Sequence, residues 1–199
     1  MHRFRVFFAG AVLTAVFAFF VLAYVPHRQL SAVVPLDALQ PYSASQAAGR
    51  QVYIGLGCMY CHSQQVRDPL FGTDQQRGWG RASYPEDYRY DRPHLLGTMR
   101  TGPDLMNIGV RQPSRAWHYA HLFQPRALVP GSLMPSFPFL FTVKDRPAAG
   151  DEVVELPPGF APPGKVVVAT PQARQLVDYL VGLRHDYARA DARQMRGGH

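Results

Sequence analysis

Residues 58–62 are Cys58-Met59-Tyr60-Cys61-His62, and this C-x-x-C-H stretch decides what kind of domain the chain forms. The spacing is that of c-type haem attachment. Two thiols separated by two residues can add to the two vinyl groups on one edge of a porphyrin, and the adjacent imidazole then reaches the iron. The motif therefore predicts one covalently bound haem c, with Cys58 and Cys61 as attachment residues and His62 as the proximal iron ligand.

Two other uses of paired cysteines fit the sequence less well. A redox-active C-x-x-C dithiol belongs in a βαβ context, which the surrounding sequence lacks. A zinc site needs four ligands, usually with a second Cys or His pair at regular spacing, and no such pair is evident. The chain has two cysteines, both in this motif, which excludes a disulfide scaffold. Haem attachment is the favoured interpretation.

The second axial ligand is predicted to be Met134, in the segment Ser132-Leu133-Met134-Pro135-Ser136. A proline after a residue restricts that residue to an extended backbone, so Pro135 stiffens a loop that can lie over a haem face. Met59 lies inside the attachment loop and cannot reach across the ring, and Met195 lies in a polar tail. The alternative for Met134 is a buried methionine that fills a gap. An open sixth position and a bis-His site are the alternatives for the iron, and the imidazoles available for the latter are His94, His118 and His121.

The third feature is the turn Arg100-Thr101-Gly102-Pro103-Asp104-Leu105. A Gly-Pro turn presents a rigid backbone carbonyl, which can accept a hydrogen bond from the ring nitrogen of His62 that does not face the iron. Such a contact fixes the orientation of the imidazole and raises its basicity as a ligand. The guanidinium of Arg100 is predicted to neutralise a haem propionate.

The N-terminal segment is predicted to be a membrane anchor. From Val6 to Val25 there are 20 residues without a charge, about 30 Å as a helix and enough to cross a bilayer core. The alternative is a cleaved signal peptide, but its apolar region is usually about 7–15 residues and ends at an A-x-A-like site, which is missing here. Arg3 and Arg5 precede the span and one arginine soon follows it, which weakly favours a cytoplasmic N-terminus and an outside C-terminal domain.

The predicted fold class is mainly α: one N-terminal transmembrane helix and a haem-binding domain with long loops. We expect an anchor over residues 1–25, a tether over 26–42, the haem domain over 43–187 and a polar tail over 188–199. Eighteen prolines and 17 glycines argue against a simple helical bundle. The domain should hold three helices: one from Ser43 or Ser45 to about Leu56, one from Pro113-Ser114 to Pro125, and one capped by Thr170 with Pro171 at its first position.

Two long connections separate these helices. Within Phe141–Ala169, the segments EVVEL (152–156) and KVVVA (165–169) predict a small β-hairpin around a Pro-rich bend. The other connection, Ser63–Met99, mixes arginines and aromatic residues in the way protein interfaces do; local packing is the alternative. The net charge of +7 does not indicate nucleic-acid binding, because no helix-turn-helix, zinc-finger or RNP-like pattern is present. The residues of that interface hypothesis are Arg67, Trp79, Arg81, Tyr84, Tyr88, Tyr90 and Arg92.

The order C-x-x-C-H, G-P-D-L, M-P resembles a class I cytochrome c. Gly49 and Tyr53 before the motif, with Leu176 and Tyr179 near the end, resemble the crossing of the terminal helices in that fold. A narrower resemblance is to the membrane-anchored mono-haem subunit II of the cbb3-type cytochrome c oxidases, and it covers the anchor and the chain to about Leu140. It is carried by GRQVYIGLGCMYCHSQQVR (49–67), YDRPHLLGTMRTGPDL (90–105) and WHYAHLFQPRALVPGSLMPSFPFL (117–140).

This resemblance implies a site, a partner and a location. The attachment and axial roles would belong to Cys58, Cys61, His62 and Met134, and the Arg100–Leu105 turn, including Gly102, Pro103 and Leu105, would line the pocket. The partner would be a catalytic haem-copper subunit, with electrons supplied by a further cytochrome c subunit or a soluble cytochrome c. The chain would lie in a bacterial inner membrane with its haem domain in the periplasm. The segment Phe141–Ala169 departs from what typical members of the family would have.

Three classes of function follow. The first is an electron-transfer subunit of a terminal oxidase. The second is a stand-alone anchored cytochrome c, or the small subunit of a nitric-oxide reductase. The third is an enzyme in its own right, such as a peroxidase, or a haem gas sensor. The third class needs an open sixth position, and Met134-Pro135 argues for a closed one. A subunit of the copper-A type is excluded because both cysteines are committed to haem.

Overall fold

The computed structural model describes residues 2–34 and 38–187. The predicted polar tail (188–199, including Met195) and Pro35 of the predicted tether lie outside these residues. The chain divides into two compact units, the first formed by Met1–Leu39 with Tyr84–Asp91 and the second by Gln40–Ser83 with Arg92–His199. Helices dominate the described residues and the sheet is small, which confirms the predicted fold class. The predicted four-part division of the chain stays a prediction.

The first unit contains one continuous helical run, His2–Ala32, long and apolar enough to cross a membrane. It consists of helix α1 (His2–Phe19), a π-helical segment (Phe20–Tyr24) and helix α2 (Val25–Ala32). The unit also includes a 3-10 turn at Pro85–Tyr88.

The helix continues through Pro26, so the first residues of the segment predicted to be a tether are helical up to Ala32. A proline in a helix lacks an N–H and its ring crowds the carbonyl four residues earlier. The π-helical turn widens the backbone at this place, and the Val25 N–H donates to the carbonyl of Phe20, five residues back. Pro26 then stands at the start of α2, where a missing N–H costs least.

The second unit contains the three predicted helices and two short ones. Each predicted helix begins at the expected cap: the side-chain oxygens of Ser43, Ser114 and Thr170 accept hydrogen bonds from backbone N–H groups of the first turn. The bounds are α3 (Ala44–Gly55), α4 (Ile108–Arg111), α5 (Arg115–Phe123), α6 (Pro125–Leu128) and α7 (Pro171–Gly182).

Helices α3 and α7 cross in close contact, as predicted from the resemblance to class I cytochromes c. Gly49 lies against the backbone of α7: a Cβ there would stand 1.8 Å from the carbonyl oxygen of Gln175. The rings of Tyr53 and Tyr179 meet edge to face with their centroids 5.5 Å apart, and Leu176 is buried beside them. This crossing places the end of α3, and therefore the C-x-x-C-H motif, at one side of the hydrophobic core.

The small sheet differs from the predicted hairpin in its first strand. Strand β1 (Phe141–Lys144) pairs antiparallel with β2 (Val166–Ala169). The segment 152–156 lies on the other edge of β2, joined by the bridge Val153↔Val168 and by two further backbone hydrogen bonds. Pairing there stays short because Pro157 and Pro158 follow, and proline has no N–H to donate.

A charged cluster fastens this sheet region to the helices. Arg115 on α5 pairs with Asp178 on α7, and the hydroxyl of Tyr119 donates to the carboxylate of Glu152. Ser45 at the start of α3 also donates to Asp178. The segment that departs from the expected family pattern is therefore bonded to α5 through Glu152 and to α7 through the Gly150 carbonyl, which accepts from Arg174, and it forms part of the folded unit.

Candidate haem-binding site

The C-x-x-C-H motif forms a tight turn directly after α3. Cys58–Tyr60 is a 3-10 turn, and the N–H groups of Cys61 and His62 both donate to the Cys58 carbonyl, over 3.2 Å and 3.0 Å. Both cysteines are free thiols: Cys58 is half-buried against the hydrophobic core, whereas Cys61 is exposed. The turn thus presents one thiol at the core and the other at the surface.

The environment of Cys58 disfavours a redox dithiol. Burial raises the pKa of the Cys58 thiol to about 11. Reactive C-x-x-C pairs need the opposite, a pKa low enough to hold a thiolate near neutral pH. The site therefore supports the interpretation of the motif as an attachment site.

The imidazole of His62 is held by the Gly-Pro turn. Its Nδ1 lies 2.8 Å from the carbonyl oxygen of Pro103, to which it donates in the neutral tautomer, so the predicted hydrogen bond is present. The turn is itself fixed, because the Gly102 N–H donates to the Cys61 carbonyl over 2.9 Å. Nδ1 is committed, and the unprotonated Nε2 is the ring atom available to a metal.

Close approach of the turn to the imidazole requires glycine. A Cβ on Gly102 would lie 2.2 Å from Cε1 of His62 and less than 3 Å from both ring nitrogens. Burial lowers the pKa of His62, against the opposing influence of the Pro103 carbonyl, so the ring is neutral and its Nε2 lone pair is free. On the same turn, Leu105 is buried and its N–H donates to the Ser63 carbonyl over 2.8 Å. These residues form a rigid wall behind a proximal ligand.

Arg100 is engaged within the protein. Its Nε donates to the hydroxyl of Ser63 over 2.8 Å, and its Nη1 pairs with Asp74 at 2.6 Å. Its Nη2 donates to the carbonyl of Gln65 over 2.6 Å. These contacts favour a role in holding the loop after His62, and the predicted contact of Arg100 with a haem propionate stays a prediction.

Arg111 is a cation beside the site that the sequence reasoning missed. It donates from Nη2 to the Asp104 carbonyl, and its buried Nε has no hydrogen-bond partner among the described residues. Burial lowers its pKa, against the opposing charge of Asp104. A half-buried cation with one buried, unpaired donor atom suits an anionic ligand such as a haem carboxylate. No local pattern marks this arginine, because it ends a four-residue helix.

The loop that carries Met134 is fastened to the end of α5. The Phe137 N–H donates to the Leu122 carbonyl over 2.9 Å, and the Ser136 hydroxyl donates to the side chain of Gln124 over 3.0 Å. Met134 is half-buried and packs against the same hydrophobic core as Cys58. Met134 and the attachment turn thus meet one core. Axial ligation by Met134 stays a prediction.

The three rival histidines differ in their surroundings. His118 is buried and its Nε2 lies 2.8 Å from the Gln112 carbonyl, whereas His94 is exposed. His121 stacks on Trp117 with the ring centroids 4.5 Å apart, and its buried Nδ1 has no hydrogen-bond partner in the described part of the chain. Burial, with repulsion from His118 and His62, lowers the pKa of His121 to about 4. Because His62 is one of the groups that lower the pKa of His121, His121 lies near the site. The buried His118, bonded to the Gln112 carbonyl, has a structural role.

The connection Ser63–Met99, which mixes arginines and aromatic residues, is only partly exposed at the surface. Trp79 is 8% exposed and is flanked by the guanidinium groups of Arg77 and Arg100, each 5.2 Å from its ring centroid. Arg81 lies over the ring of Tyr187 at 5.0 Å. The alternative of local packing is therefore favoured for Trp79 and Arg81, while Arg67 is exposed.

The residues present fit a covalent haem. The motif offers two free thiols and an imidazole with an available Nε2, and an apolar core lies behind them. Outside the motif, Nε of Arg111 and Nδ1 of His121 are buried without a hydrogen-bond partner among the described residues. A family model described as "Cytochrome C oxidase, mono-heme subunit/FixO" matches residues 1–154 of the 199. No curated protein matches the chain.

Proposed function

Since this chain belongs to the FixO family of mono-haem cytochrome c oxidase subunits, we propose that it passes electrons through one covalent haem c to the catalytic haem-copper subunit of a terminal oxidase. The observation that supports this most directly is the 2.8 Å contact between His62 Nδ1 and the Pro103 carbonyl. It leaves Nε2 as the metal-binding atom in a motif that also supplies two free thiols. The family description favours the oxidase over a nitric-oxide reductase or a stand-alone cytochrome.

Two general features of the protein follow from its family membership and from the apolar helix. The family is mono-haem, so the chain carries one haem, and the helix His2–Ala32 anchors it in a membrane. We propose further that Cys58 and Cys61 form the thioether links, and that His62 and Met134 are the axial ligands. We also propose that the haem domain faces the periplasm and takes electrons from a further cytochrome c subunit or a soluble cytochrome c.

The haem, when bound, supplies an iron that carries one electron at a time. The chain's own residues keep that site rigid. Pro103 fixes the plane of the His62 imidazole, Gly102 lets the turn approach it, and the loop of Met134 is bonded to α5. A ligand set held in place in both oxidation states needs little rearrangement, which favours fast electron exchange over oxygen chemistry at this iron.

The test uses the whole detergent-solubilised oxidase with Met134→Ala, and Met99→Ala as a matched control because Met99 is exposed. Met134→Ala should change the ligand spectrum of this haem and abolish oxygen consumption with the natural donor. The haems of the partner should still be reduced by small artificial reductants. Full turnover with reduced cytochrome c after loss of the Cys58–His62 haem would show that this subunit is not on the electron path.

A further inference from the structure

A buried carboxylate stands directly behind the proximal ligand. Asp104 follows Pro103, the residue whose carbonyl holds His62, and is fully buried. One of its oxygens accepts from the Ser63 hydroxyl over 2.6 Å and from the Gln65 N–H over 2.8 Å. The other accepts from the Met106 N–H over 2.9 Å. Asp104 thus ties the turn to Ser63 and Gln65, in the segment that follows His62.

Arg100 lies between this carboxylate and a second one. Its Nη1 is 2.6 Å from Asp74, and its Nη2 is 3.7 Å from Asp104. The side chains of Asp74 and Asp104 are 4% and 1% exposed. Asp74 also accepts from the Arg67 N–H over 2.7 Å. We call Asp74, Arg100 and Asp104 the charge triad; it holds two negative charges and one positive charge.

Stability alone is a weak reason for such an arrangement. Removing charges from water costs several kcal/mol per ion by general estimates, and apolar replacements of buried ion pairs are often neutral or stabilising. In a low-dielectric interior, however, fixed charges act strongly on a nearby site. A negative charge near an iron favours the oxidised, more positive state, and a positive charge favours the reduced state.

We propose that the charge triad is an electrostatic device that sets the reduction potential of the haem, acting from behind His62 through the turn that holds it. This inference rests on the proposed function, because it needs a haem ligated by His62. Arg100 and Asp74 are positioning residues in this scheme: Arg100 offsets the charge of Asp104, and Asp74 fixes Arg100. Asp104 supplies the charge closest to the proximal turn.

The experiment measures the midpoint potential of the haem in the full, detergent-solubilised chain by spectroelectrochemistry. Asp104→Asn and Asp74→Asn remove a negative charge and should raise the potential, Asp104→Asn more. Arg100→Gln removes a positive charge and should lower it, while Arg100→Lys keeps the charge and should restore most of the wild-type value. Asp145→Asn is the matched control, because the side chain of Asp145 is 82% exposed and its charge is screened by water.

The sign of the shifts decides the result. Opposite shifts for the two kinds of variant support the triad as an electrostatic device. Shifts of one sign in all variants, as general loosening of the pocket would give, overturn it, and so do unchanged potentials. If Asp104→Asn does not fold, Asp74→Asn and Arg100→Gln still give the comparison. A wild-type chain without covalent haem would instead refute the proposed function.

Discussion

Replacing Gly49 by alanine tests the crossing of α3 and α7, on which the position of the haem motif depends. The new Cβ would lie 1.8 Å from the carbonyl oxygen of Gln175 and 2.4 Å from its carbonyl carbon. Ordinary contact begins near 3.4 Å, so the two helices must separate locally by about 1.6 Å. Overpacking usually costs about 1–3 kcal/mol. Because the obstacle is backbone and cannot rotate away, we expect about 3 kcal/mol.

The assay is unfolding of the full, detergent-solubilised chain, followed by circular dichroism and by the absorbance of the haem. For a chain of this size, a loss of about 3 kcal/mol lowers the melting temperature by roughly 6–12 °C. Gly55→Ala is the matched control in the same helix, because a Cβ there meets nothing within 4 Å. It should leave stability unchanged or raise it by up to about 1 kcal/mol. Two variants within about 0.5 kcal/mol of each other would refute the close crossing.

Three further predictions concern the site and its frame. Gly102→Ala drives a methyl group into the His62 ring, so the imidazole loses its hydrogen bond and its basicity; the midpoint potential should rise, and an unchanged potential would contradict the geometry. Burial lowers the pKa of His121 in the folded chain to about 4, against an ordinary 6.5 in the unfolded chain. As the pH drops from 6.5 towards 4, the unfolded chain therefore binds more protons than the folded chain, and the free energy of unfolding should fall. His121→Phe should flatten that dependence in acid titrations followed by circular dichroism, and the same change at exposed His94 should not. Thr170→Ala removes the cap of α7 and a 2.7 Å hydrogen bond to a carbonyl, and denaturant titration should show a loss of about 1–2 kcal/mol.

Local signals were sufficient to predict the three main helices and the Gly-Pro turn behind His62. Ser43, Ser114 and Thr170 cap their helices through bonds to residues three positions later, so the information lies within a few residues. The Gly-Pro turn is local too, although its contact with His62 spans 41 residues along the chain. That contact was predictable because a proximal imidazole needs an acceptor and the turn offers a rigid one.

Features that depend on distant partners were not predictable. Two segments pair with β2 on its opposite edges, and both are short and contain two β-branched residues. Which one pairs regularly depends on the prolines that follow 152–156 and on the path of the chain. The sequence alone also does not distinguish the role of Arg100 from that of Arg111. Only the fold shows that Arg100 meets Asp74, while the Nε of Arg111 is buried without a partner among the described residues.

The two tryptophans of the chain stand beside different parts of the site, and this gives the protein two built-in optical reporters. Trp79 lies between two guanidinium groups, one of them that of Arg100, so its emission should respond to the charge triad. Trp117 is stacked on His121, so its emission should respond to the state of the helix that holds the Met134 loop. Trp79→Phe and Trp117→Phe would each leave a single fluorophore. Stopped-flow fluorescence of these variants during refolding would then time the formation of the two regions separately.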